Sequence, residues 1–305
     1  MIKRCQLFPI HSWMDPPHVW KPSCCLAFHF RVYRNLLSAT HLGALYLTVI
    51  PHSGYFSPDS IVAALSTLTS LERLLLAFES PLSCPDLASQ RPPPSTRSVL
   101  PVFTHFGFKG VTEYLDDLVA CIDAPQLNRL SITFFNDIGF DTPHFMQFIS
   151  RTPMSRVPDK AHITLRDRAA RVSFSSQTFR CGQFQVEILC NGLDWQVSSL
   201  DQVCTSCLPP LYMLEDLYFH EDSRSPPDWE DRIESRQWLE LFRSFIAVKN
   251  LYLSKEFASS IAPALQELVE GRTTDVLPVL QNIFLKGLDS SRYLQESIEV
   301  LVTHW

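Results

Sequence analysis

The stretch "LEDLYFHED" at residues 214–222 recurs in similar form as "VKNLYLSKE" at 248–256 and as "LQNIFLKGL" at 280–288. Two earlier stretches, "LERLLLAFE" (71–79) and "LNRLSITFF" (127–135), follow the same pattern. Each copy contains the spacing Leu-x-x-Leu-x-Leu, or an apolar substitute for it. Neighbouring copies in the carboxyl-terminal half lie roughly 30 residues apart, and self-similarity at such a period indicates a repeat architecture.

The spacing inside each copy predicts a short strand. Its second and third apolar residues are two positions apart, so their side chains point to the same face. Segments with helical spacing lie between these strands, as in 57–70, where Pro58 marks a helix start and Ile61 and Leu65 share one stripe. Strand and helix alternating at a regular period predict an α/β fold. We expect a leucine-rich-repeat-like solenoid with a curved parallel β-sheet on the concave side and helices on the convex side.

The main alternative fold is a doubly wound sheet, which has the same alternation of strands and helices. Such a sheet does not require near-identical strand sequences, and it usually carries a glycine-rich phosphate loop after its first strand. The chain has only 9 glycines and no G-x-G-x-x-G motif. The sequence therefore favours the solenoid.

The domain organisation follows from where the repeat holds and where it breaks. Residues 1–35 are predicted to be an irregular amino-terminal segment, and residues 36–305 to form the solenoid. A proline-rich loop at 80–98 and an acidic loop at 220–235 are expected to interrupt it. At 157–190 irregular strands are expected, including an antiparallel pair that turns near Asp167–Ala170.

Composition excludes several classes of protein. The chain has 305 residues, 46% of them hydrophobic, and a formal net charge of −6. A net negative charge disfavours nucleic-acid binding, which needs a basic face. No apolar run is long enough to cross a bilayer, and no signal peptide is recognisable. We therefore expect a cytoplasmic or nuclear protein with no nucleic-acid or membrane partner.

Few residues point to catalysis or metal binding. Cys204 and Cys207 form a C-x-x-C motif, but it falls late in a predicted helix, where the helix dipole does not favour a reactive thiolate. A zinc site at this motif would need a second Cys/His pair nearby, and the triplet His220-Glu221-Asp222 lacks the i, i+4 partner of a zinc-binding helix. We therefore expect structural cysteines and no catalytic residue, metal or cofactor, and the sequence predicts that the protein is not an enzyme.

The outward positions of the predicted strands are candidate binding residues for a protein partner on the concave face. Tyr218, Tyr252 and Phe284 occupy the same position in successive copies, so parallel pairing predicts an aromatic ladder. Exposed aromatic side chains often dominate protein interfaces. Alternatively, the rings only pack against one another or are covered by the two loops, and the sequence leaves both interpretations open. The candidate residues are Tyr46, Arg73, Arg129, Tyr218, His220, Tyr252, Phe284 and Lys286.

A family resemblance adds to this interpretation. The segments "IPHSGYFSPDSIVAALSTLTSLERL", "FGFKGVTEYLDDLVACIDAPQLNRLSITFFN" and "VEILCNGLDWQVSSLDQVC" resemble the leucine-rich-repeat region of the F-box-like protein family expanded in mushroom-forming fungi. The similarity covers about residues 36–305. The resemblance implies a role like that of the substrate-recognition part of an F-box receptor in a ubiquitin ligase.

The sequence also departs from the family pattern in one respect. Family members carry an amino-terminal F-box that binds the Skp adaptor, and residues 1–40 contain no stretch that reads as one. Binding to Skp is therefore implied by kinship only. The alternative is a stand-alone repeat scaffold, or a truncated or decayed paralogue, with no link to ubiquitin.

Overall fold

A computed structural model describes residues 41–83, 97–135, 142–153, 158–175, 183–206, 208, 211–221, 233–269 and 275–286. The strands in this part of the chain are β1 (Ala44–Ile50), β2 (Arg73–Phe78), β3 (Ser98–Val99), β4 (His105–Gly110), β5 (Ile122–Asp123), β6 (Arg129–Phe135), β7 (Lys160–Arg166), β8 (Ala169–Ser175), β9 (Gln183–Leu189), β10 (Asp216–Glu221), β11 (Asn250–Ser254) and β12 (Asn282–Lys286). The α-helices are α1 (Pro58–Leu65), α2 (Thr112–Ala120), α3 (Pro143–Arg151), α4 (Leu193–Ser206), α5 (Ser235–Arg243) and α6 (Lys255–Val269).

Ten strands form one sheet in the order β1-β2-β4-β6-β9-β8-β7-β10-β11-β12. Neighbouring strands are parallel except for β8, which is antiparallel to both β7 and β9. The short strands β3 and β5 pair in a separate two-stranded sheet. The protein is therefore a mixed α/β structure built on a large, mostly parallel sheet.

The strand register places equivalent apolar residues of the repeats side by side. Leu74 pairs with Leu45 on one side and Phe106 on the other, and Leu251 pairs with Leu217 and Ile283. The complete inner row across the sheet is Leu45, Leu74, Phe106, Leu130, Phe184, Phe174, Ala161, Leu217, Leu251 and Ile283. A continuous interior row is what the repeated Leu-x-x-Leu-x-Leu spacing predicted.

The helices pack against this inner face, and their starts follow from local sequence. The Ser60 N–H donates a hydrogen bond of 3.3 Å to Ser57 Oγ just before α1, and Pro58 occupies the first turn. Neighbouring helices contact one another as well as the sheet, as α2 does with α3 and α5 with α6. The apolar side chains of helices and inner strands therefore form one hydrophobic core.

The segment from β7 to β9 confirms an antiparallel pair and changes the order of strands. Arg166 pairs with Ala169, so the chain turns at Asp167 and Arg168 between β7 and β8. β9 then lies beside β6, and β7 lies beside β10. The irregular strands thus belong to the main sheet and connect its two halves.

Several predicted boundaries differ from the structure or lie outside the described residues. His220 and Glu221 belong to β10, so the prediction that the acidic loop begins at residue 220 was wrong: the chain leaves the sheet after Glu221. Ser98 starts β3, which shortens the proline-rich loop. Residues 1–35, 84–96 and 222–232 lie outside the described part of the chain.

Candidate binding face

The side chains that alternate with the inner row point to the opposite side of the sheet, here called the open face. In β2 and β11, for example, the inner residues are buried, and the outward ones are exposed or half-buried. The central row of the open face is Tyr46, Leu75, Gly107, Ser131, Gln185, Ser173, His162, Tyr218, Tyr252 and Phe284.

Four rings of this row form a continuous stack, called the aromatic ladder. The ring centroids of Tyr218 and Tyr252 lie 4.1 Å apart with 7° between the ring planes. Tyr252 and Phe284 follow at 4.6 Å and 12°, and His162 stacks on Tyr218 at 4.5 Å and 15°. These separations match the spacing of paired strands, because in-register parallel pairing repeats the side-chain position at each step.

The ladder ends in an accessible ring. Phe284, on the last strand, is 45% exposed, and Tyr218 and Tyr252 are half-buried. Burial is the largest of the effects that raise the pKa of Tyr252 above its ordinary value; Tyr218 and Asp216 raise it further, and Lys160 opposes them. Tyr252 therefore stays a neutral phenol, with an apolar ring and a polar hydroxyl.

A polar row runs beside the ladder and ties the same strands together. Asn250 Nδ2 donates to Asp216 Oδ1 over 2.8 Å, and Asn282 Nδ2 donates to Asn250 Oδ1 over 2.8 Å. Lys160 Nζ lies 3.4 Å from Asp216 Oδ2 and 5.9 Å from the centroid of the Tyr218 ring. These contacts fix the outward residues of β7, β10, β11 and β12 relative to one another.

Two imidazoles meet at the start of the ladder. His162 Nδ1 lies 3.3 Å from His220 Nε2, and the ring centroids are 5.6 Å apart. A hydrogen bond between them needs one nitrogen to accept, so at least one ring is neutral. Burial lowers the pKa of His162, the charges of His220 and Lys160 lower it further, and Asp216 opposes them.

The other half of the open face carries a basic row on β2, β4 and β6. Arg73 pairs with His105, and His105 pairs with Arg129. Burial, followed by the charges of Arg129 and Arg73, lowers the pKa of His105, and Glu72 opposes them. The two arginines therefore act together on the ring between them.

The predicted site residues fall into two groups. Tyr46, which is 36% exposed, lies with Arg73 and Arg129 on one side of the sheet. Tyr218, His220, Tyr252 and Phe284 lie together on the other side. Four strand steps separate β6 from β10, which is about 19 Å at the usual strand spacing. Lys286 ends β12, but its side chain lies outside the described part of the structure. A binding role for these residues stays a prediction.

The sequence-based choice of residues missed His162 and Lys160. Both lie in "KAHITLR", residues 160–166, whose alternation of polar and apolar residues indicated a strand but not its neighbours. Their place beside Tyr218 depends on β7 pairing with β10.

The structure describes only part of the C-x-x-C motif and shows no metal-binding cluster within the described residues. Cys204 is a buried thiol in the last turns of α4, and Cys207 lies outside the described residues. Within the described ranges, no group of three or more His, Cys, Asp or Glu side chains is arranged to hold a metal ion. In the same ranges, none of the helices has both the length and the apolar character needed to cross a membrane.

The fold is thus of the mixed α/β class, with a ten-stranded, mostly parallel sheet. No protein-family model matches the chain, and no curated protein matches it. Among solved structures, the chain is similar to the leucine-rich repeat-containing protein LegL7 from Legionella pneumophila. The sequences are 13% identical, the match covers 90% of this chain and 78% of that one, and the TM-score is 0.34.

Proposed function

We propose that the chain is a leucine-rich-repeat-like solenoid whose open face is concave and whose helices lie on the convex side. Successive repeats with short in-register strands on one side and helices on the other support this proposal. Helices need more room than strands, so stacking such units bends the sheet toward its open face. The strand–helix alternation from β10 to β12 is the most regular part of this pattern.

The function that this geometry supports best is binding of a protein partner across the open face, without catalysis. The observation that carries the proposal is the aromatic ladder, which presents ring edges and phenol groups in a fixed row. Rigid tyrosine side chains supply a large contact area and lose little conformational entropy on binding. The polar row beside the ladder supplies hydrogen-bonding groups for orientation.

A selection from a phage-displayed library of random peptides tests this function. Peptides selected on the immobilised protein should bind at the open face, so Tyr218→Ala and Tyr252→Ala should each weaken binding by at least about five-fold. The control is Trp195→Ala on α4, since Trp195 is 49% exposed but lies on a helix. If no peptide is selected, or if only Trp195→Ala weakens binding, the proposed function is wrong.

A narrower role concerns ubiquitin ligation, and its support is the resemblance of residues 36–305 to the fungal F-box-like family. In this role the open face selects a substrate while the Skp adaptor connects the chain to the ligase, in the cytoplasm or nucleus. Co-purification of the full chain with a recombinant Skp adaptor is the test. A chain that binds peptides but does not co-purify with Skp is the stand-alone scaffold instead.

A further inference from the structure

The open face has a charge opposite to that of the whole chain. The full chain has a formal net charge of −6. On the strands of the large sheet, however, the described outward side chains that carry charge are mainly basic. The basic ones are Arg73, Lys109, Arg129, Lys160, Arg166 and Arg171, and the acidic ones are Glu187 and Asp216. The acidic surplus of the chain therefore lies elsewhere.

Both acidic side chains of the open face already have cationic partners. Glu187 Oε1 lies 2.7 Å from Arg171 Nη2 and 3.3 Å from Arg166 Nη1. Asp216 is paired with Lys160 at 3.4 Å. These contacts neutralise both carboxylates, so no described outward carboxylate remains for the basic row.

The basic row on β2, β4 and β6 is not neutralised within the described residues. No described carboxylate lies within ion-pair distance of Arg73 or Arg129. Arg73 is exposed, and the buried Nε atom of Arg129 has no hydrogen-bond partner in the described part of the chain. Two guanidinium groups lie on one row, separated by His105, and each offers planar donors of the kind that suit a carboxylate.

We propose that the open face binds an acidic, extended segment of a partner protein, with carboxylates of that segment meeting Arg73 and Arg129. This inference rests on the proposed function and names the chemistry of the partner. Arg129 on β6 and Tyr218 on β10 lie four strand steps apart, about 19 Å across the strands, a span that roughly six extended residues cover. A segment with Asp or Glu at one end and apolar residues at the other matches both groups.

An acidic peptide fits this surface better than a single-stranded nucleic acid. Stacking of bases requires open aromatic faces. In the ladder the ring faces cover one another at 4.1 to 4.6 Å, which leaves no gap for a base between them. The net negative charge of the whole chain repels the many phosphates of a nucleic acid at longer range. A short acidic segment interacts mainly with the charges next to it.

The experiment uses the same random-peptide selection and reads the composition of the selected peptides. Peptides selected on the wild-type protein should be enriched in Asp and Glu, and their affinity, measured by fluorescence anisotropy, should fall as salt increases. Arg73→Glu combined with Arg129→Glu should weaken binding of these peptides at least about ten-fold, because like charges then face each other. The matched control, Arg236→Glu with Arg243→Glu, makes the same change of charge at exposed positions on α5.

The possible outcomes separate this inference from the proposed function. Selected peptides that are neutral or basic, yet lose affinity with Tyr252→Ala, overturn the acidic partner and leave the binding face intact. Equal weakening by both charge-reversal pairs also overturns the inference, since only net charge then matters. Displacement of the peptide by a single-stranded oligonucleotide at similar concentration overturns it as well. Arg73→Gln with Arg129→Gln repeats the test with a gentler change, and circular dichroism verifies that each variant is folded.

Discussion

The rings of Tyr218 and Tyr252 lie nearly parallel, 4.1 Å apart, on neighbouring strands with the same register. The contact follows from the sequence, because "DLYF" and "NLYL" place Tyr at the same position of two successive repeats. The two side chains therefore stabilise the junction between repeats as well as presenting a surface. The two roles separate experimentally, since one is measured as stability and the other as binding.

The stacking of Tyr218 on Tyr252 should appear as an energetic coupling. In a double-mutant cycle with Tyr218→Ala and Tyr252→Ala, we expect a coupling of about 0.5 to 1.5 kcal/mol in the free energy of unfolding. Urea denaturation of the four proteins measures it. The control cycle replaces Tyr46 and Tyr252, which lie eight strand steps apart in the central row and should be additive within about 0.5 kcal/mol. A Tyr218–Tyr252 coupling no larger than this control would contradict the stacked geometry.

The inner row should be much more sensitive to truncation than the open face. Leu74 is 2% exposed and lies in the core, whereas its neighbour Leu75 is half-buried and points outward. Leu74→Ala should lower the free energy of unfolding by about 2 to 5 kcal/mol, since it removes buried methyl groups and leaves a cavity. Leu75→Ala should cost about 1 kcal/mol, because only part of its side chain leaves a packed contact. Denaturation that gives equal losses, or the reverse order, would contradict the assigned faces.

The sequence predicted the inner row and part of the open face for a clear physical reason. A repeated spacing fixes which side chains share a face, and parallel pairing of equal units then aligns them, as for Leu217 and Leu251. The ladder from Tyr218 to Phe284 follows from the same rule.

Other features depend on strand order, which the repeated spacing does not encode. Helix α3 begins at Pro143, and the strands β7 to β9 that follow it do not carry the repeated apolar spacing. The sequence therefore did not show which strand pairs with β10 beside Tyr218. The place of His162 in the ladder and the pairing of Glu187 with Arg171 both arise from strands that are distant in sequence. The unneutralised basic row becomes visible only when these partners are known.

The Asp116 side chain links α2 to α3. Its role as a hydrogen-bond acceptor should affect the free energy of unfolding more than its charge does. Asp116 Oδ1 accepts a hydrogen bond of 2.8 Å from the Phe145 N–H in the first turn of α3. Burial raises the pKa of Asp116, while the hydrogen bond from Phe145 and the neighbouring His144 oppose the shift. Asp116→Asn keeps an acceptor and removes a partly desolvated charge, so the free energy of unfolding at neutral pH should change by less than about 1 kcal/mol.

Asp116→Ala should instead cost about 1 to 3 kcal/mol, because it leaves the Phe145 N–H without its acceptor. The control is Glu113→Ala, at an exposed position on the same helix. Urea denaturation of the three variants makes the comparison. Equal losses for the Asn and Ala variants would show that the carboxylate charge, and not the hydrogen bond, stabilises this junction.

His162 should make stability depend on pH. Burial first, and then the charges of His220 and Lys160, lower its pKa below the ordinary value of 6.5, against the effect of Asp216. The folded protein therefore favours the neutral ring, and the unfolded chain binds the proton more tightly. The stability that the neutral His162 ring contributes is fully present above about pH 6.5. It is lost as the pH falls from there toward the pKa of His162 in the folded protein.

His162→Gln removes this dependence, so the difference in unfolding free energy between wild type and variant should shrink as the pH falls below about 6.5. Urea denaturation at a series of pH values measures the difference, and any loss of stacking on Tyr218 adds only a constant offset. The control is His52→Gln in the short helical turn after β1, away from the ladder. The pKa of His105 is also lowered, which makes stability fall with pH in the same direction. Because His105 is present in both the wild type and the His162→Gln variant, its effect cancels in the difference. A difference that stays constant across the series would contradict a neutral His162 in the folded protein.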